Sequence, residues 1–270
     1  MNFSRKSEGF IKKLNIKSMP KVVGKDTHIR HLYRLILDAH MKTRSLRIEP
    51  KVNKIENVKD IPMPRGFDSV FIPEIIRESI KMDSTDSIVF EQEVNNRKIR
   101  IYITCMGLNI EQEMSKYVEY IRMILSWFTL VSQYSNNSCS NRLSIYLYMT
   151  DFKKELPAST IDVIDVMNVN SGLSDVCQRD SEIIIYRKEE WLKVLIHETF
   201  HNLGLEFSTM NIYDFQQDIL RLFPIESKLA LYESWAESWA IIINTGLCAF
   251  FLLEDVDIED DFILHYEYLI

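Results

Sequence analysis

The sequence predicts an α+β fold, with helices packed on a twisted mixed sheet. Three observations carry that expectation. Two β-rich runs, Ser87 to Val94 and Lys98 to Thr104, meet at Asn95-Asn96, which reads as a hairpin. A long stretch at helical spacing follows, from about Ile110 to Val131. Further short apolar strands then lead into two long helical stretches, so strands and helices do not alternate regularly. The 270 residues, 46% of them hydrophobic, can supply a proper core. Seven Gly, seven Pro and no fixed-period repeat argue against disorder and solenoids.

In chain order, Leu32, Leu35, Ile36 and Ala39 place an amphipathic helix from Thr27 to about Thr43, with a basic outer face. Residues 46–70 are punctuated by Pro50, Pro62, Pro64 and Gly66 and read as a linker or extended cover strand. Residues 1–70 are therefore expected to form a basic helical arm with an irregular linker, and 71–270 the main domain. Pro73, favoured at a first helical position, opens a short helix through Ile80. After the hairpin and long helix, Leu143 to Met149 reads as a buried strand, Val166 to Ser174 as a short edge strand and Glu182 to Tyr186 as a central one. A helix from about Glu189 to Leu203 should end at Gly204 in a left-handed cap, and a second should run from Glu226 to Leu252. Ile258 to Ile270 reads as an unfinished helix that packs under the fold or is covered by a partner.

The net charge of −7 hides an asymmetry: residues 1–60 carry fifteen Lys/Arg against six Asp/Glu, and the rest seventeen against thirty-three. A basic arm can hold an acidic partner, a nucleic-acid backbone or an anionic membrane surface, although scattered Lys and Arg with no basic run also suit a solvated face. Cys105, Cys139, Cys177 and Cys248 show no ligand spacing and are expected as free thiols. With no N-terminal apolar stretch, they point to an intracellular, reducing compartment and away from secretion. Trp239 to Leu253 is shorter than the roughly 20 residues that span a bilayer, and a buried core helix is expected there.

The chemistry-bearing motif is His197-Glu198-Thr199-Phe200-His201. Histidines four apart project from one helix face and can grip one ion, while Glu198, turned about 100° away, can reach a water without ligating the ion. Neutral imidazoles suit a tetrahedral zinc ion with one open position. Of two third-ligand candidates, Glu206 lies beyond the expected cap and points badly. Glu233 shares a helical face with Ala236, Glu237 and Ala240, where small residues allow close helix approach and two carboxylates ask for a cation. Trp235 and Trp239 read as core anchors; His28 and His31, three apart with His40 nearby, could pair on a metal, but with no carboxylate or cysteine partner they read as surface histidines.

His197-Glu198-x-x-His201 with Glu233-x-x-Ala236-Glu237 resembles the gluzincin metallopeptidases, whose second helix carries Glu-x-x-x-Asp/Glu. The resemblance implies a zincin-like fold over roughly 88–250 and a Zn2+ cofactor. It makes His197, His201 and Glu233 the metal ligands, Glu198 the general base, and Glu237, where Asp is more usual, the carboxylate that orients a ligating histidine. Metzincins would need a ligand at Phe207, which cannot supply one. Asn170-Ser171-Gly172 followed by Arg187-Lys188-Glu189-Glu190-Trp191 is also similar to metallopeptidase-like proteins of large DNA viruses, which would make the compartment a host cytoplasm. Peptide or protein substrate would then add as a strand beside Asn168 to Ser174, and Tyr213, Tyr232, His265 or Tyr266 would donate to the oxyanion. Two other readings remain open: an inactive zincin-fold binding protein that docks an acidic partner through its basic N-terminal region, and a zinc hydrolase of non-peptide amides.

Overall fold

The computed structural model describes residues 27–107, 110–159, 161–223 and 229–270. Seven of the fifteen basic residues behind the arm expectation precede Thr27, so that part of the proposed acidic or nucleic-acid contact lies outside the described residues. The chain is a mixed α+β protein built on an open six-stranded sheet. Its strands are β1 (Lys51–Lys54), β2 (Ser84–Val94), β3 (Arg97–Met106), β4 (Arg142–Tyr148), β5 (Gly172–Ser174) and β6 (Asp180–Ile185), in the order β1-β2-β3-β4-β6-β5. The β3–β4 and β4–β6 pairs are parallel, and the pairs at both edges are antiparallel.

Local chemistry explains the hairpin and the long helix. Asn95 and Asn96 adopt φ of 47° and 65°, the positive values a two-residue hairpin turn requires and Asn tolerates. Among the described residues two helices come first, α1 (Thr27–Arg44) and α2 (Glu74–Asp83); α3 (Ile110–Val131) then crosses from β3 to the parallel strand β4. Its Ile121, Ile124, Leu125 and Phe128 are fully buried.

Alternation along the strands divides the core into two layers. Ile99, Ile101, Ile103, Leu143, Ile145, Leu147, Ile183 and Ile185 belong to a large cluster that includes α1 and α3. Tyr146, Tyr148, Ile184 and Tyr186 belong to a second cluster with Ile61, Phe67, Ile72, Ile76 and Ile80. The segment expected as a linker thus covers a sheet face, after β1 has paired with β2 from Lys51↔Val89 to Lys54↔Asp86.

Helix α1 is built into the main core. Tyr33, Ile36 and Ala39 are buried, the Tyr33 hydroxyl donates to the Val256 carbonyl at 2.6 Å, and Thr43 Oγ1 meets Ser126 Oγ of α3 at 2.7 Å. Among the described residues, the apolar stripe of α1 on one side of the boundary expected near residue 70 shares a core with α3 and α6 on the other.

Four further helices complete the fold: α4 (Trp191–Asn202), α5 (Tyr213–Leu222), α6 (Leu231–Phe251) and α7 (Glu259–Leu269). α5 was not anticipated, and α7 packs under α6 with Phe262 and Ile263 buried. Residues 166–169 form a helical turn, because Asp165 accepts the Met167 amide at 2.8 Å and caps it, and the edge strand is confined to 172–174. His40 is half-buried against Phe250 at 5.2 Å, whereas His28 and His31 are exposed.

The cysteine expectation is corrected. Cys139 and Cys177, 38 residues apart, form a disulfide with Cα atoms 4.5 Å apart; Cys105 and Cys248 are free. Tertiary proximity of two turns joins them, and thiol spacing no longer argues for a reducing compartment. Among the described residues, no helix is long and apolar enough to cross a membrane.

Candidate metal centre

The site begins at the buried end of β6. Ile183 to Tyr186 are at most 2% exposed, and a turn with Glu190 at φ 57° starts α4. Leu195, Ile196 and Thr199 face the core. Thr199 Oγ1 donates to the Leu195 carbonyl and accepts from Trp127 Nε1 at 3.1 Å, which fixes the rotation of the helix. His197, Glu198 and His201 are thereby turned towards β5 and α6.

α6 lies against α4 with Ala236 and Ala240 fully buried, so nothing larger than a methyl group separates the backbones there. Glu233 and Glu237, one turn apart, reach both histidines. His197 Nε2 and His201 Nε2 are 3.1 Å apart, and Glu233 Oε2 lies 3.3 and 3.4 Å from them. For a tetrahedral ion with bonds of about 2.0–2.1 Å, the edge between ligand atoms is about 3.3–3.4 Å. The three donors thus lie at the spacing of one face of such a tetrahedron. Among the described residues they form the group that can hold a metal ion.

The outer imidazole nitrogens are also held. His197 Nδ1 meets Glu237 Oε2 at 3.1 Å, while Glu237 Oε1 accepts from Lys193 at 2.6 Å. His201 Nδ1 meets Glu206 Oε2 at 2.8 Å. The carboxylate at each Nδ1 favours a proton on that nitrogen, so an ion that displaced the proton from Nε2 would meet its lone pair.

Sequence reasoning set Glu206 aside because it lies past the helix end. The helix end is what brings it back. Gly204 at φ 65° reverses the chain, with Leu205 N bonded to the Phe200 carbonyl at 2.8 Å and Gly204 N to that of His201 at 3.1 Å. Those paired bonds swing Glu206 under His201, where it is buried and also bonded by Ser208.

The electrostatics fit a cation. Burial lowers the affinity of His197 for a proton, but its hydrogen bonds to the Glu233 and Glu237 carboxylates outweigh it and push the pKa up to about 9. Burial opposes protonation of His201 too, and Glu233 and Glu206 raise it. Hydrogen bonds to both histidines pull Glu233 down to about 2, and the His197 bond, with Lys193 assisting against burial, does the same for Glu237. The cluster therefore collects positive charge, which protons supply here and a divalent ion could supply in their place. Glu198 behaves oppositely: burial raises its pKa.

Glu198 faces the edge strand. Ser174 Oγ lies 2.8 Å from Glu198 Oε2 and 3.1 Å from the Glu198 carbonyl. Ser174, like Glu206, was missed as a contributor; it comes from a different element and carries no motif. Of the expected oxyanion donors, Tyr232 packs edge-on to His201 at 6.2 Å. Tyr213 is exposed on α5, and His265 and Tyr266 belong to α7, where Tyr266 is buried in the core. Trp235 and Trp239 are 42% and 38% exposed and touch each other, so they are not core anchors; the buried face of α6 is carried by Ala236, Ala240, Ile243, Leu247 and Phe250.

No family model, curated protein or solved structure matches the chain.

Proposed function

We propose that the chain is a zinc-dependent peptidase of zincin-like build, acting on peptide or protein substrates. The observation that carries this reading is the convergence of His197 Nε2, His201 Nε2 and Glu233 Oε2 at 3.1–3.4 Å, each imidazole backed by its own carboxylate. Two imidazoles and one carboxylate form a donor set suited to catalytic zinc, which keeps a position open. Zinc bound there would lower the pKa of a water to about 7 and polarise a carbonyl. Glu198, beside the ligands but outside the converging set, accepts the proton of the attacking water and returns it to the leaving amine. Its burial supports that role, because a raised carboxyl pKa lies nearer to working pH. Of the four candidate oxyanion donors, Tyr232 is the one whose ring packs against His201. Among the described residues β5 is an edge strand, beside which an extended peptide could add.

The test is metal content together with cleavage of an internally quenched peptide library, for wild type and Glu198→Gln. One zinc per chain in both proteins and turnover reduced by about 10²–10⁴-fold in the variant is the expected result. Absence of zinc from both defeats the reading. Zinc in both without cleavage by wild type would favour a zincin-fold binding protein instead.

A further inference from the structure

We infer that Ser174 is a positioning residue for Glu198, holding its carboxylate against the edge strand and preventing it from closing onto the ion as a further ligand. The inference rests on the metal-site reading above. Glu198 follows His197 directly, and a flexible carboxylate beside a divalent cation is drawn to coordinate it. Yet the ligand atoms that converge belong to His197, His201 and Glu233, and Glu198 is not among them. Among the described residues, the hydrogen bond to its carboxylate comes from Ser174, at 2.8 Å. The Glu198 carbonyl is 3.1 Å from the same oxygen. A hydroxyl has one proton, and the shorter contact to the carboxylate takes it. Oε2 is thereby engaged, and Oε1 is left to receive a proton.

The strand that carries Ser174 is fixed to both of its neighbours. Ser174 pairs with Ile183 of β6, and the next residue, Asp175, bonds to the Glu182 carbonyl through its amide at 3.0 Å. Asn202, at the end of α4, donates to the Asp175 carbonyl at 3.0 Å. Gly172 lies two residues back, on the same strand face. A Cβ there would sit 2.9 Å from the Ile184 carbonyl, 2.9 Å from Val194 Cγ1 and 3.4 Å from Glu198 Cγ. Glycine lets the strand come this near to α4, and Ser174 uses that approach. A rigid donor of this kind preorganises the carboxylate.

The test compares wild type, Ser174→Ala, Ser174→Thr and the Ser174→Ala/Glu198→Gln double variant, each loaded with cobalt(II) for visible absorption and with zinc for turnover of the peptide library. In Ser174→Ala the freed carboxylate should join the ion, raise its coordination number and weaken the cobalt bands. kcat should fall by about 10- to 100-fold, with KM changed less than about twofold. Threonine keeps the hydroxyl and should restore both. The double variant should regain the wild-type spectrum, which a general structural effect would not produce. Unchanged spectrum and turnover in Ser174→Ala overturn the inference, as does an altered spectrum that persists in the double variant. A wild type that binds cobalt but cleaves nothing defeats the peptidase reading and leaves the spectra to decide the role of Ser174. A wild type that binds neither ion overturns both.

Discussion

Glu206 and Glu237 do the same job from opposite sides of the site, each holding the outer nitrogen of one histidine. Removing either charge should leave the ligands present but less well oriented and less basic. Glu206→Gln and Glu237→Gln are each expected to weaken zinc binding by about 10- to 100-fold in chelator competition, with little change in fold. Glu206 should be the more costly, since its side chain is 3% exposed against 42% for Glu237. Protons compete with the metal here: both imidazoles are held protonated more tightly than usual in the ion-free site. Zinc affinity should therefore rise with pH across the neutral range and binding should release protons, measurable by titration in buffers of different ionisation enthalpy. His197, Glu198 and His201 were legible because one helix carries them at a spacing its own geometry interprets. Glu206 and Ser174 were not, because a cap and a neighbouring strand deliver them.

At the level of elements, the turn after α4 links packing to chemistry. Gly204 sits at φ 65°, where a side chain is strained, and a Cβ there would meet the Cys139–Cys177 sulfurs at 3.6 Å. Gly204→Ala should cost about 1 kcal/mol of stability by denaturant unfolding, and should lower zinc affinity further because the Glu206 turn depends on that conformation. A loss of stability without any loss of affinity would show that Glu206 is held by other means. The hairpin and the span of α3 were legible from side-chain periodicity and Asn-Asn. The turn at 166–169 was read as strand, since four residues show no period and the Asp165 cap outweighs β-branched propensity. α5 was not expected although Phe215, Ile219 and Leu222 recur at helical spacing; none of its residues is buried.

The whole molecule depends on contacts between distant parts. α1 contributes Tyr33, Ile36 and Ala39 to the core that holds α3 and α6, so a fragment starting at residue 71 should fail to give a cooperative melt. A stable, zinc-binding 71–270 fragment would contradict this. The disulfide ties the turn before β4 to the turn after β5, closing a loop across 38 residues at the end of the metal helix. Its reduction should lower stability by about 2–4 kcal/mol, read as a fall in Tm between oxidised and reduced protein.

What the sequence determined by itself is what lies within one element: the two histidines and Glu198 on one face of α4, the carboxylates and alanines on α6, and the apolar runs of the central strands. Helix and strand periods are local properties of the backbone, and side-chain type along them can be read directly. The tertiary structure alone decided that Glu233 closes on the two histidines, that Glu206 folds back beneath His201, that Ser174 reaches Glu198, and that two cysteines meet. Each of those depends on a direction set by a cap, a crossing or a strand order, and residues far apart in the chain carry no local mark of such a meeting.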